Sequence, residues 1–230
     1  TLAGLALLNG CGGDDGDADA RFTALAGNYL DAMLAMNPEW ATNLGDHRFD
    51  GEISDMSRDG FKATVELSEA YLDSLSDIDA EKLSVENAID YGILREHLEY
   101  EIFMIEEVRE YQWNPTFYNP GNGIYNLLAR EFAPLPERLA SVKSRLEKLP
   151  MILEAAKLNL RNPPEVMTRT AISQNPGVIN LIMDGLQPYL DEVPGMRDDM
   201  AATRASAIAA LDEYGRWLES ELLPRSQGDF

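Results

Sequence analysis

From Ser84 to Tyr111 apolar side chains recur at every third or fourth position with no proline between them. A segment patterned this way has one good option, a long amphipathic α-helix. Ile89, Ile93, His97, Tyr100, Met104, Val108 and Tyr111 fall on one stripe, and Leu94, Leu98, Ile102 and Ile105 on the adjacent one. At ~1.5 Å per residue such a helix is roughly 40 Å long. Its wide apolar surface predicts a central helix contacted on two sides.

The rest of the chain repeats this pattern with breaks at proline and glycine. A first helix is expected from about Ala20 to Met36, with Phe22, Leu25, Tyr29 and Met33 on one side. Pro38 opens a short second helix and Gly45 stops it, leaving Asp46 to Gly51 as a loop. Ser57 is placed to cap the next helix. Trp113 to Gly123 reads as a loop of Pro, Asn, Gly and aromatics, followed by a helix carrying Ile124, Leu127 and Leu128. Pro134-Leu135-Pro136 starts another helix, and Pro150 is expected to separate it from one ending near Asn162. Two shorter helices should be broken at Pro176-Gly177 and at Pro188, before a final one from about Met196 to Leu223. No segment alternates with period two, so the chain is expected to be all-α: a multi-helix array with one long central helix.

Charge excludes one class of partner. Nineteen basic against 40 acidic residues give a formal charge of -21, which repels nucleic-acid phosphates and lacks the basic footprint that binding them needs. The distribution is uneven. From Asp50 to Glu110 there are 18 acidic and 5 basic residues, net -13; from Arg130 to Arg169 there are 8 basic and 5 acidic, net +3. The two blocks either attract each other within the fold or leave the basic one facing an anionic substrate group.

The N-terminus reads as a targeting segment. Leu2, Ala3, Leu5, Ala6, Leu7 and Leu8 form a short apolar run, and Leu8-Asn9-Gly10-Cys11 is similar to a bacterial lipobox. The run is far short of the ~20 residues that span a membrane. Residues 1–11 are therefore expected to be a truncated lipoprotein signal peptide, with Cys11 the lipidated residue. Residues 12–19 would be an acidic flexible tether and residues 20–230 the helical portion proper. The other reading is a leucine-rich helix start with a chance cysteine. Lipidation would make the acyl chains the sole membrane contact. Gly12 stands where an inner-membrane retention signal has Asp, which points to the outer membrane facing the periplasm.

A search for chemistry finds no complete site. Two histidines and one cysteine cannot make a zinc site of ordinary spacing, and no His-Glu-x-x-His or Glu-x-x-His occurs. No Gly-x-Ser-x-Gly elbow, phosphate loop or dinucleotide fingerprint occurs. No metal ligand and no catalytic residue are assigned. His97, on an apolar stripe, reads as a buried hydrogen-bonded histidine before a catalytic base. His47, between Asp46 and Arg48, either braces its loop or contacts substrate. Tyr118, Tyr125 and Arg130 could line a peptide cleft in which Arg130 pairs a carboxylate; alternatively the aromatics of this stretch plug the core.

The segment Pro38-Glu39-Trp40-Ala41-Thr42-Asn43-Leu44-Gly45-Asp46-His47-Arg48-Phe49-Asp50-Gly51 resembles the opening signature of the bacterial domain-of-unknown-function 885 family. Trp113-Asn114-Pro115 with Tyr118, Arg130 to Leu135 with Arg138-Leu139, Pro150 with Leu153, and Asn159-Leu160 before Pro163-Pro164 follow in the family's order. Leu222-Leu223-Pro224-Arg225 with Gly228-Asp229-Phe230 is similar to the family's midpoint. The resemblance implies the N-terminal half of a larger, mostly helical fold like that of zinc metallopeptidases. Zinc and its His-Glu motif would then lie in the C-terminal half of the same protein. This chain would be the substrate-side half of a membrane-tethered hydrolase acting on peptide, inactive alone. The alternative is a non-catalytic helical lipoprotein that binds or scaffolds.

Overall fold

Proline and glycine set most of the helix ends, because each fits one end and not the other. In the computed structural model, which describes residues 15–229, Pro38 lies in the first turn of its helix and Gly45 closes it at φ 93°. That left-handed conformation is open to glycine at no steric cost. Ser57 Oγ accepts from Gly60 N and Ser84 Oγ from Asn87 N, so both hydroxyls cap as the sequence predicts.

The helices are α1 (Asp15–Met36), α2 (Pro38–Leu44), α3 (Arg58–Ser76), α4 (Val85–Phe103), α5 (Glu110–Trp113), α6 (Gly121–Ala129), α7 (Leu135–Asn159), α8 (Glu165–Asn180), α9 (Gln187–Glu192) and α10 (Pro194–Trp217). Wider π turns extend α4 over Met104–Val108, α8 over Leu181–Gly185 and α10 over Leu218–Leu222. No strand occurs among the described residues, so the fold is all-α.

The long central helix is α7, not the Ser84–Tyr111 segment. It buries Leu139, Val142, Leu146, Leu149, Ile152, Leu153 and Ala156 in the main core, shared with α6, α8 and α10. Pro150 was expected to divide α7, and Pro176-Gly177 to divide α8, yet both helices run through. An internal proline costs about 3 kcal/mol. Buried side chains flank each one, Leu149 and Ile152 around Pro150 and Asn175 and Val178 around Pro176, and their packing outweighs that cost.

A second, thinner layer is built from α1, α3 and α4. Six of its buried apolar residues form two small clusters, Phe22 with Leu75 and Ile78, and Tyr29 with Met33 and Leu98, and Ala18 and Val65 are buried outside both. Of α4's own residues only Leu98 is buried. The stripe carrying Ile89, Ile93 and Tyr100 faces outward, so α4 is contacted on one side and not two. His97 lies on that open stripe, edge-on to Tyr29 at 6.0 Å, exposed and not buried as expected. The run ends at Arg109, a left-handed residue at φ 53°, two residues before the expected end.

Helix α1 starts at Asp15, about five residues early, so residues 15–19 belong to the helix and not to the tether. Ala18 is buried and Asp19 Oδ1 accepts from Ser84 N at 2.9 Å and Asn87 Nδ2 at 2.7 Å, which fastens this turn to the start of α4. These bonds hold the Asp19 carboxyl below its ordinary range. The expected lipidation site, Cys11, lies outside the described residues.

The basic block spreads its contacts. Lys148 pairs with Glu52 of the acidic block at 2.7 Å, whereas Lys143 pairs with Asp199 at 2.6 Å and Lys157 with Glu154 and Glu213 at 2.8 Å. Such surface pairs contribute at most about 1 kcal/mol each.

Two buried hydroxyls among the described residues, those of Tyr29 and Tyr214, lack a protein partner, and the second stands beside a small void. Tyr214 OH faces no donor or acceptor, and its ring lines a void of about 20 Å³ with Tyr118, Leu153 and Leu211. Burial holds this phenol well above the usual tyrosine range. Tyr214→Phe removes a polar group that gains nothing from the protein, so urea unfolding is expected to move by less than about 0.5 kcal/mol, or towards greater stability. A loss above about 1.5 kcal/mol would show that the hydroxyl is satisfied.

Candidate functional site

The segment that the sequence marks as a crossover loop is a rigid wall with a hollow on each side. Asn114 Oδ1 accepts from Thr116 N at 3.0 Å and Thr116 Oγ1 at 2.6 Å, which folds Pro115–Tyr118 into a short 3-10 turn. Tyr118 OH donates to Tyr111 O at 2.6 Å and accepts from Asn159 Nδ2 at 3.1 Å. Asn119 Oδ1 takes Gly121 N at the start of α6, and its Nδ2 reaches Gln174 Oε1 of α8 at 3.0 Å.

The larger hollow, about 730 Å³, opens between this wall and α8, with Phe117, Asn119, Asn122, Ser173 and Gln174 among its lining residues. Asn122 is exposed and makes no side-chain hydrogen bond, and Gln174 keeps its amide N–H donors free after accepting from Asn119. The smaller hollow, about 210 Å³, lies towards α2 and includes Asn37, Glu39, Ser54 and Asn122. Glu39 is already committed: it accepts from Ser54 N at 3.1 Å and Ser54 Oγ at 2.6 Å. Neutral amides next to an aromatic ring suit an uncharged polar chain such as a peptide backbone better than an anion or a cation.

Behind the smaller hollow sits a buried arginine that the sequence reading passed over. Arg145, on α7 and 3% exposed, donates from Nε to Glu52 O, from Nη1 to Gly123 O and from Nη2 to Thr42 Oγ1. It thereby ties α2, the 51–54 segment and α6 to α7. Burial pulls its affinity for a proton down, and Glu39 and Asp50 push back. Thr42 Oγ1 lies 2.7 Å from Asp50 Oδ1, and Asp50 accepts from His47 Nδ1 at 3.0 Å. The chain Thr42, Asp50, His47 has the residue types of a proton relay, but Thr42 is fully buried and its hydroxyl is already engaged by Arg145. It cannot reach a substrate.

The four residues expected to touch substrate do not converge. His47 stacks flat on Phe132, with centroids 3.6 Å apart and 7° between planes. Arg130 donates to Asn43 O at 2.8 Å and Asn43 Oδ1 at 3.0 Å, so its guanidinium binds the end of α2 and no carboxylate. These two share the corner after α2, away from both hollows. Tyr118 is 1% exposed, with its hydroxyl tied into the wall, and Tyr125 stands 54% exposed on α6 outside either hollow. Among the described residues no group of three His, Cys, Asp or Glu side chains is arranged to hold a metal. No helix there is long and apolar enough to cross a membrane.

Fold and hollows together define an all-helical protein with an amide-lined hollow on one side of a wall and, on the other, a smaller hollow backed by a buried arginine. The chain belongs to the family described as bacterial protein of unknown function (DUF885), which matches residues 38–230. No curated protein matches it. Among solved structures it is similar to a candidate lipoprotein of unknown function from Shewanella oneidensis, at 27% identity and a TM-score of 0.79. The likeness covers 87% of this chain and 37% of that one, so the chain spans well under half the length of this relative.

Proposed function

We propose that this chain is the substrate-facing helical wall of a longer, lipid-anchored envelope hydrolase of the zinc-metallopeptidase type, and that peptide lies in the hollow between the 115–122 segment and α8. The observation that carries this reading is the pairing of free amide groups, on Asn122 and Gln174, with the exposed Phe117 ring along one 730 Å³ hollow. Membership of the family and the lipoprotein description of a relative more than twice as long support the larger setting. Anchoring at Cys11 and a place on the outer membrane, facing the periplasm, belong to the same proposal.

Zinc does not fit the residues present. His47 Nδ1 is held by Asp50 and its ring is covered by Phe132, while His97 lies in the other helix layer. This chain's part is to bind and orient peptide, and no metal-centred step is assigned to its residues. Binding of unstructured peptides to the purified chain, followed by titration calorimetry, tests this. Asn122→Ala combined with Gln174→Ala is expected to weaken binding about tenfold, the equivalent of ~1.4 kcal/mol, with unchanged melting temperature. Unaltered affinity would remove the hollow from the proposal, and stoichiometric tight zinc in the purified chain would overturn the division of labour. A non-catalytic binding module is the second reading, favoured by the exposed apolar stripe on α4. Absence of peptide hydrolysis by the longer gene product would select it.

A further inference from the structure

Helix α4 presents more apolar surface to solvent than a helix of a finished layer does. Val85 is 81% exposed, Ile89 60%, Ile93 61%, Tyr100 59% and Phe103 52%. At 100° per residue these five fall within an arc of about 80°, interrupted only by Glu96. The stripe continues into a groove of about 560 Å³ between α4 and α1, whose far side carries Leu30 and Trp40. Contiguous apolar patches of more than a few hundred Å² mark contact surfaces. Among the described residues the layer beneath holds two three-residue buried clusters besides Ala18 and Val65, too small a core to explain so apolar a helix.

We infer that this stripe and groove seat an amphipathic helix from the remainder of the longer protein. The inference rests on the proposal that the chain works as part of such a protein. The Shewanella relative carries this fold as 37% of its chain, so it has further polypeptide of its own to pack against such a face. Around the stripe α4 holds Glu86, Asp90, Glu96 and Glu99 against Arg95 alone, while Glu101 turns inward to accept from Ser68. A helix laid along it should therefore be apolar at the centre and flanked by Lys or Arg. An acidic face of this kind disfavours both an anionic membrane and a second copy of itself.

Photo-crosslinking in the longer gene product tests the seat. With p-benzoylphenylalanine at position 93, mass spectrometry is expected to place most crosslinks on a basic-flanked helix outside residues 1–230. Crosslinks to a second copy, to residues of this same chain, or to lipid would each overturn the inference, as would none at all. In parallel, Ile89→Lys with Ile93→Lys should leave the melting temperature of this 230-residue chain within about 2 °C and lower that of the longer protein by about 5 °C or more. An equal fall in both would overturn it, since the stripe would then be buried within this chain. Peptide hydrolysis is read separately: hydrolysis without crosslinking refutes the seat and leaves the proposed function standing, and crosslinking without hydrolysis does the reverse.

Discussion

Replacing Arg145 by methionine is expected to lower the stability of the chain by about 3–5 kcal/mol, which for a domain of this size is a fall of roughly 8–15 °C in melting temperature. Methionine fills much of the same volume and donates nothing. The carbonyls of Glu52 and Gly123, part-buried, and the Thr42 hydroxyl, fully buried, then lose a charged donor. A buried acceptor left without a partner costs about 1–3 kcal/mol, and three of them near the lower end, because two are only part-buried, give the range. Arg145→Lys should fall between wild type and Arg145→Met, because an ammonium keeps the charge but cannot present donors in three fixed directions. Urea unfolding followed by circular dichroism measures both variants. The loss should also be local in its first stage: amide exchange in the 38–54 segment should accelerate before that of α10, since the guanidinium is the innermost tie of this segment to α7, leaving Ser144 and Lys148 to hold Gly51 and Glu52 alone. A shift under about 1 kcal/mol would mean that α2 holds its place without the arginine.

The same arginine shows where the sequence was legible and where it was not. Residues 138, 142, 145, 149, 152, 156 and 159 recur every three or four positions, which makes one face of α7, and all are buried. Four of them, Val142, Leu149, Ile152 and Ala156, are apolar and announce the core. Arg138, Arg145 and Asn159 fall on the same face, and a polar residue at a core position is itself a signal, because it must find partners there. They find carbonyls: Arg138 reaches Leu127 O and Leu128 O at the end of α6, and Asn159 reaches Met56 O. Apart from Ala133 O, five residues from Arg138, the carbonyl partners lie 10 to 107 residues away and carry no side-chain signature, so only the fold identifies them. Caps and stops were readable because Ser57, Ser84, Pro38 and Gly45 act on neighbours in sequence. Pro150 and Pro176 misled for the opposite reason, since packing from other helices overrides the local penalty. The hollow was half legible. The Asn-rich crossover drew notice, but Ser173 and Gln174 on α8 sit more than fifty residues on and look like any solvated helix face.

Leu211→Ala is expected to cost about 4 kcal/mol, near the upper end for buried leucines. Leu211 is 1% exposed on α10 and already borders the 20 Å³ void beside Tyr214. The penalty for a truncated leucine depends on how far its surroundings can close in, and here they are stiff. Pro115 and Pro120 restrict the backbone opposite, Tyr118 is pinned by two hydrogen bonds, and Asn175 Nδ2 bonds to the carbonyl of Leu211 itself at 2.9 Å. The void should therefore grow instead of collapsing, and an unchanged urea m-value with a lowered midpoint would report a pure stability loss. The outcome bears on function as well. The Thr116 to Asn119 stretch lines this void on one side and the amide-lined hollow on the other. A cost below about 2 kcal/mol would mean that the wall moves in to fill the space. A wall that moves so readily could not hold Asn119 and Asn122 at fixed positions for a peptide, and the hollow would have to be read as a flexible surface instead of a preformed site.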